Sequence, residues 1–512
     1  MPVQRLKRLL LGRTVMVLGL VLLQIGLMVW LVWLLGSSAA IAWAVLAMLT
    51  SCIVVALLNE DNIPPAYRTL WVLVVLLLPV AGALFCVMWA GRGTSCRRAR
   101  QYRGAAGRHA SALTVTPKAV RRRLEEENPA FGRTADYLVR AAAAPLWAGT
   151  ACRYYPWGRA LMPDLLEALE SARESIWLEF FILEAEGEFW GAIHEVLRRK
   201  AAAGVDVRVL YDFAGCLLTA PEDYAAELRA EGIKCHPVLP LRLSAHVSDY
   251  QLLNRRDHRK VVVVDGQVGF SGGVNLADEY IGRVIRFGTW KDTAFRIEGR
   301  AVQAMSAGFL TMWDWVSGTK SPPATPARPV AAEGLVQPYF GSSLDTERVC
   351  ESAYLGLVQA AQRTLYVATP YLVPDQELLC SLQRAARSGV DVRVLVPGIP
   401  DKPYVYWVTQ SFFPPLLRAG VRIYVYTPGF LHAKMMVADD AAIIGTANLD
   451  YRSLYLHFEN GCAFYGGSVP AQVRADLEEC MRQSREATLA DPPPDLPRRL
   501  ARGLLRIAAP LL

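Results

Sequence analysis

"GVDVRVL", residues 204–210, returns letter for letter at residues 389–395, each time after a helix-like stretch that itself follows an apolar run. In the first copy "SIWLEFFIL" (175–183) reads as a buried strand, "EFWGAIHEVLRRKAAAG" (188–204) as an amphipathic helix ending at Gly204, and "VDVRVLYD" (205–212) as the next strand. The second copy repeats the order in "TLYVATPYLVP" (364–374), "QELLCSLQRAARSG" (376–389) and "VDVRVLVPG" (390–398). Strand–helix–strand units of this length imply parallel neighbours in a sheet covered by helices, so the fold class is α/β. The repeat marks an internal duplication.

Outward from the duplicated units, "GTKSPPATPARPVAAEG" (318–334), rich in Pro and Ala and without apolar periodicity, reads as a linker between halves. The expected division is a membrane anchor over 1–91, a basic linker over 92–130, a first lobe over 131–317, a linker over 318–336, a second lobe over 337–489 and a tail over 490–512. The tail places a Pro-rich stop before a short basic and apolar helix, which suits either a membrane surface or packing on the lobes.

The hydrophobic fraction of 53% is concentrated near the N-terminus, in runs at 14–36, 39–58 and 69–91 that are each long enough to cross a bilayer. A cleaved leader fits poorly, because the first run is too long and two more follow. Arg5, Lys7, Arg8 and Arg13 precede the runs, and Arg92, Arg97, Arg98, Arg100, Arg103 and Arg108 follow them. The positive-inside rule holds both flanks in the cytoplasm, whereas three full crossings separate them, so either one run is re-entrant or the smaller cluster is overruled. The larger cluster stands beside the lobes and places them in the cytoplasm. The same arginines, which carry much of the net charge of +8, suit anionic head groups or serve topology alone. Ten scattered cysteines without a CxxC pair suit a reducing compartment and no zinc site.

Late in each half stands a candidate site. "DHRKVVVVDG" (257–266) carries His258, Lys260 and Asp265, then Gly272, Gly273 and Asn275; "LHAKMMVADD" (431–440) carries His432, Lys434 and Asp439, then Gly445, Thr446 and Asn448. Residues two apart on a strand share a face, so each His and its Lys point the same way, which suits a phosphate. A neutral imidazole can attack phosphorus, an ammonium can hold its oxygens and an Asn amide can donate to them. Two such sets packed about a pseudo-twofold axis place a nucleophile and an acid on opposite faces of one phosphodiester.

These patterns resemble the HxKxxxxDxxxxxxGSxN motifs of the phospholipase D superfamily, and in particular its bacterial cardiolipin synthases. The likeness extends through "YYPWGRALMPDLLEAL" (154–169), "GTWKDTAFRIEGRAV" (288–302), "NLDYRSLYLHFEN" (448–460) and the closing "RIAAPLL". It implies duplicated lobes of mixed sheets flanked by helices, forming a pseudo-dimer behind N-terminal transmembrane helices. It further implies His258 and His432 as the catalytic pair, with His258 the nucleophile in the superfamily's usual order while the symmetry lets His432 take that part, and Lys260, Lys434, Asn275 and Asn448 on phosphate. Asp265 and Asp439 complete the motifs as supporting groups. Asp292 in "WKDT" and Glu459 in "HFEN" stand where the family orients its histidines through Nδ1. Gly273 replaces the consensus Ser, as is usual for cardiolipin synthases. The second motif is one residue short between Asp439 and Gly445; a deletion inside a strand would turn every later side chain over, so it belongs in the turn at Asp439–Ala441.

The implied activity joins two phosphatidylglycerols into cardiolipin and glycerol through a phosphohistidine, in the bacterial inner membrane, with the phospholipid and the membrane as partners and no nucleic acid. No HExxH, DxD pair or P-loop is present, so no metal or other cofactor is expected. Three alternatives stay open: a hydrolase or transferase to another alcohol, a nuclease, which the apolar runs disfavour, and a silent lipid-binding scaffold. His109, His194, His236, His246 and His457 read as surface or structural residues, with the segment around His246 leading into the site.

Overall fold

A computed structural model of the chain describes residues 2–60, 65–89, 97–240, 254–345, 347–491 and 495–511. The expectations for Arg92 and for the segment around His246 lie outside those residues.

The first lobe holds β1 (Thr150–Tyr155), β2 (Ser175–Phe180), β3 (Asp206–Asp212), β4 (Lys234–Val238), β5 (Val261–Val264), β6 (Val268–Gly272), β7 (Thr289–Lys291) and β8 (Ala294–Gly299). The second holds β9 (Leu335–Gly341), β10 (Thr364–Ala368), β11 (Asp391–Pro397), β12 (Arg422–Tyr426), β13 (Gly429–Leu431), β14 (Met435–Ala438), β15 (Ala441–Gly445), β16 (Glu459–Tyr465) and β17 (Ser484–Ala487). The two sheets run β1-β8-β6-β5-β2-β3-β4 and β9-β16-β15-β14-β10-β11-β12-β17, the same order with one extra edge strand. In each, the βαβ unit supplies the parallel strands, β2-β3-β4 and β10-β11-β12, and the motif strand pairs antiparallel to them. The repeated heptapeptide does one job twice: Gly204 and Gly389, at φ +87° and +95°, end the preceding helix in the left-handed region and turn the chain into β3 and β11.

The sheets share a core. Val261, Val263, Phe295 and Ile297 of the first meet Met435, Val437, Ala442, Ile444 and Phe464 of the second in one buried cluster, while each lobe's other face packs on its helices. Strands buried on both faces explain why β5 and β14 read as unbroken apolar runs, VVVV and MMVA.

The short second motif is accommodated in the turn. β5 and β6 are joined by Asp265-Gly266-Gln267, whereas β14 and β15 are joined by Asp439-Asp440 alone, so strand register is preserved.

Three expectations change. Residues 97–127 form the helices Arg97–Ser111 and Lys118–Glu127 where a linker was expected. Tyr102 of the former packs on Trp315 and Phe458, and Arg108 and His109 bond Asp314 of the helix Val302–Ser317. The helix Gly132–Ala142, expected in the first lobe, lies in the second lobe's core, where Gln337 donates to the carbonyls of Ala135 and Ala144. The third apolar run is no single span. It divides at Leu78 into α3 (Pro65–Leu77) and α4 (Pro79–Trp89), behind α1 (Pro2–Leu35) and α2 (Ala39–Glu60). A Cβ at Gly82 would lie 2.5 Å from the Val74 carbonyl oxygen, so α3 and α4 fold back on each other. A straight helix would separate those residues by about 12 Å. Among the described residues one helical stretch, Gly19–Ala56, is long and apolar enough to cross a membrane.

Candidate active site

The motif strands end where the lobes meet, and there two short parallel pairings cross from one lobe to the other. Leu431 pairs with Lys291 in the β13–β7 ribbon, and Asp257 pairs with Phe458 in an isolated bridge. The next residue on each chain completes the site. His432 N–H donates to the Lys291 carbonyl at 2.7 Å and His258 N–H to the Phe458 carbonyl at 2.9 Å. One residue farther on, the partner strand offers a carboxylate. His432 Nδ1 lies 2.5 Å from Asp292 Oδ2, and His258 Nδ1 lies 3.0 Å from both oxygens of Glu459.

Each imidazole is thus oriented by the other lobe's acid. With Nδ1–H given to a carboxylate, Nε2 keeps its lone pair, and both rings line one cavity of about 570 Å³. The two histidine side chains are only 10% and 9% exposed.

Below them the lysines are buried. Lys260 Nζ donates to the His258 carbonyl at 2.7 Å, and Lys434 Nζ donates to the His432 carbonyl. Burial pushes Lys260 down to about 7 and Lys434 to about 8. Burial and the neighbouring lysines hold His258 well below its usual range and His432 at about 4, so both rings are neutral and able to attack before substrate enters. The two acids differ. Against the opposing effect of its burial, Asp292 is kept below the usual carboxylate range by Lys434 and His432, whereas burial lifts Glu459 to about 7.

The neighbouring residues match this difference. A Cβ on Gly273 would stand 2.0 Å from Asp292 Oδ1, so the first lobe requires glycine there; the second lobe has Thr446, whose hydroxyl donates to Glu459 Oε2 at 2.5 Å. Asn275 and Asn448 both line the cavity. Asn275 donates to the Tyr280 hydroxyl at 2.7 Å and accepts from Ile182 N–H at 3.1 Å, while Asn448 Oδ1 is buried with no partner among the described residues.

Asp265 and Asp439 do not reach the cavity. They sit at φ +50° and +44° in the hairpin turns, past strands that span roughly 13 Å from the lysines. Asp265 accepts the backbone N–H groups of Arg173, Glu174 and Ser175 at 2.8–2.9 Å, and Asp439 those of Gln362, Arg363 and Thr364 at 2.7–3.1 Å. Their position fits anchoring of the motif strand to the start of β2 or β10, and not contact with a reacting group.

His457, expected to be structural, lines the cavity with its ring 6.0 Å from that of His258, alongside Arg256 and Arg452. Around His432 stand Tyr280, Trp290 and Phe430 at 5.4–5.6 Å, with Glu279 and Asp401 farther out. Arg256 and Arg452 stand with His457 on the His258 side, while on the aromatic His432 side Glu279 and Asp401 are ion-paired with Arg286 and Lys402, which also line the cavity. These residues come from short strands, single helical turns and loops of both lobes, so no local spacing in the sequence announces them. His109, His194 and His236 are occupied elsewhere, against Asp314, Glu231 and Trp313.

Residues 165–313 and 354–481 match the family profile described as "Cardiolipin synthase, PLD-like domain". An uncharacterized protein of Streptococcus mutans is 39% identical over 82% of this chain and 90% of its own length. A cardiolipin synthase of Geobacillus kaustophilus is 34% identical over 91% of this chain and 93% of its own. Among solved structures, a phosphatidylserine synthase of Haemophilus influenzae superposes with a TM-score of 0.58 at 16% identity, covering 75% of this chain and all of that one, which shows a shared fold.

Proposed function

Because the chain belongs to the cardiolipin synthases with phospholipase D-like domains, we propose that it is a phosphatidyltransferase that joins two phosphatidylglycerols, releasing glycerol. The observation that carries the reading is the pair of opposed imidazoles in one cavity, each held by a carboxylate of the other lobe.

One Nε2 attacks the phosphodiester in line with the departing glycerol oxygen. The N–P bond forms, the P–O bond breaks, and the opposite imidazolium gives its proton to that oxygen. Glycerol leaves, and the now neutral ring takes the proton from the primary hydroxyl of a second phosphatidylglycerol, whose oxygen attacks phosphorus and breaks the N–P bond. Lys260, Lys434, Asn275 and Asn448 hold the non-bridging oxygens, where negative charge is concentrated in both transition states. The phosphate supplies the negative charge that draws a proton onto an imidazole otherwise held neutral by burial. The two displacements use the same residues in exchanged roles, which suits the near-symmetry. The aromatic side chains around His432 restrict water, whose attack would give phosphatidic acid.

α1 and α2 cross the bilayer as a hairpin turned at Gly36–Ser38, and α3–α4 form a re-entrant pair. Contacts of α4 with both, including Ala81 N–H to Gln24 Oε1 at 3.0 Å, support this arrangement. An even number of crossings keeps both basic flanks, and the lobes, on the cytoplasmic side of the cell membrane.

The test is to incubate the purified chain in detergent–lipid micelles with phosphatidylglycerol and separate the products. Cardiolipin with an equivalent of glycerol is expected; phosphatidic acid alone, or no turnover, would overturn the transferase reading.

A further inference from the structure

The C-terminal helix, Leu496–Ile507, has the wrong side outward for a protein in water. Asp495 caps it by accepting from Arg498 N–H at 3.1 Å. Its inner side rests on the second lobe: Arg502 bonds the Gln410 side chain, the Arg506 guanidinium lies 4.4 Å over the Phe412 ring, and Leu505 packs against the lobe's core. Leu496, Leu500, Leu504 and Ile507, spaced four, four and three apart and so on one face, are 68%, 61%, 70% and 46% exposed. A helix that only covered its lobe would turn those leucines inward.

Three further observations say what meets the stripe. The helix touches α3, whose Leu76 and Leu77 are exposed, so the stripe continues toward the apolar N-terminal helices. Tyr404 and Trp407 on the adjacent helix Pro403–Ser411 are partly exposed, and Tyr404 and Ala509, just past the C-terminal helix, line the catalytic cavity. Arg502 and Arg506 are engaged with the lobe, while Arg498 and Arg499 are exposed on the same helix, with Asp495 the one acidic residue of their segment. An exposed leucine face on a helix that also exposes Arg498 and Arg499 matches an anionic bilayer interface.

We propose that Leu496–Ile507 is an interfacial helix that sinks its leucine stripe into an anionic phospholipid surface and holds the cavity mouth against the lipid it draws from. The inference rests on the lipid-substrate reading above.

The test uses the full chain and two substrates, phosphatidylglycerol in vesicles and a short-chain phosphatidylglycerol dispersed as monomers. For the variant Leu496→Ser/Leu500→Ser/Leu504→Ser, turnover on vesicles should fall about tenfold or more while turnover of monomers is retained; Leu500→Ile/Leu504→Ile should keep both. Equal loss on both substrates, or none on vesicles, would overturn the proposal, as would a change in oligomeric mass on sedimentation, which would give the stripe to a second copy of the chain. Insertion is also read without turnover, by quenching of a fluorophore on Leu504→Cys with brominated acyl chains of phosphatidylglycerol, relative to labelled wild type. Absence of quenching refutes the interfacial helix even if cardiolipin forms. Quenching without any cardiolipin supports the helix and counts against the catalytic reading alone.

Discussion

Gly273→Ala is the smallest change that should disable one histidine without touching it. The added methyl carbon would lie 2.0 Å from Asp292 Oδ1 and 2.7 Å from its Cγ, more than about 1 Å inside van der Waals contact. The carboxylate has nowhere inexpensive to go, since Asp292 is buried, with Oδ1 accepting Thr293 N–H at 2.8 Å and Oδ2 on His432 Nδ1 at 2.5 Å. Yielding by an ångström breaks at least one charge-assisted hydrogen bond, about 1.5–3 kcal/mol, and releases the imidazole from its attack geometry. We expect kcat for cardiolipin formation to fall about 10²-fold, measured by release of labelled glycerol, with thermal unfolding recorded in parallel. If the methyl acts through the carboxylate, Gly273→Ala/Asp292→Ala should be no slower than Asp292→Ala alone. Wild-type turnover by Gly273→Ala, or losses that simply add in the double variant, would refute the coupling. Thr446→Ala, at the equivalent place in the second lobe, removes a hydroxyl donor and adds no clash, so a loss of only about tenfold is expected there.

Either His258→Ala or His432→Ala should lower kcat by about 10⁴-fold or more, and wild-type turnover by either would end the two-histidine scheme. If Lys260 and Lys434 hold phosphate as proposed, kcat/KM should decline as pH rises past about 7 to 8, where they lose their charge; it should also decline as pH falls toward about 4, where His432 becomes protonated. A profile flat from pH 6 to 9 would contradict the assignment of the lysines. Asp439→Ala should act on stability first, by roughly 1–3 kcal/mol in urea unfolding, because three backbone N–H groups lose their acceptor. Loss of turnover at unchanged stability would argue that the aspartate does more than anchor the strand.

The repeated heptapeptide and the paired HxK stretches determined the duplicated α/β architecture and the identity of the central residues, because strand and helix periodicities are local and survive in a single chain. The place of the missing residue in the second hairpin was also legible, since a strand cannot lose one residue without inverting its faces. The helix Arg97–Ser111 is not legible in the sequence because charge density hides a buried face, Ala99, Tyr102, Ala105 and His109, that is sparsely apolar. The division of the third apolar run at Leu78 is likewise hidden, because hydropathy does not register a bend. Only the tertiary structure decided that Glu459 serves His258 and Asp292 serves His432, at sequence separations of 201 and 140 residues. It also decided that His457, Arg256 and Arg452 share their cavity, and that Gly273 makes room for a carboxylate. Such contacts form where two lobes meet. Their geometry is set by the docking of whole sheets through a common core, and no spacing along the chain encodes that docking.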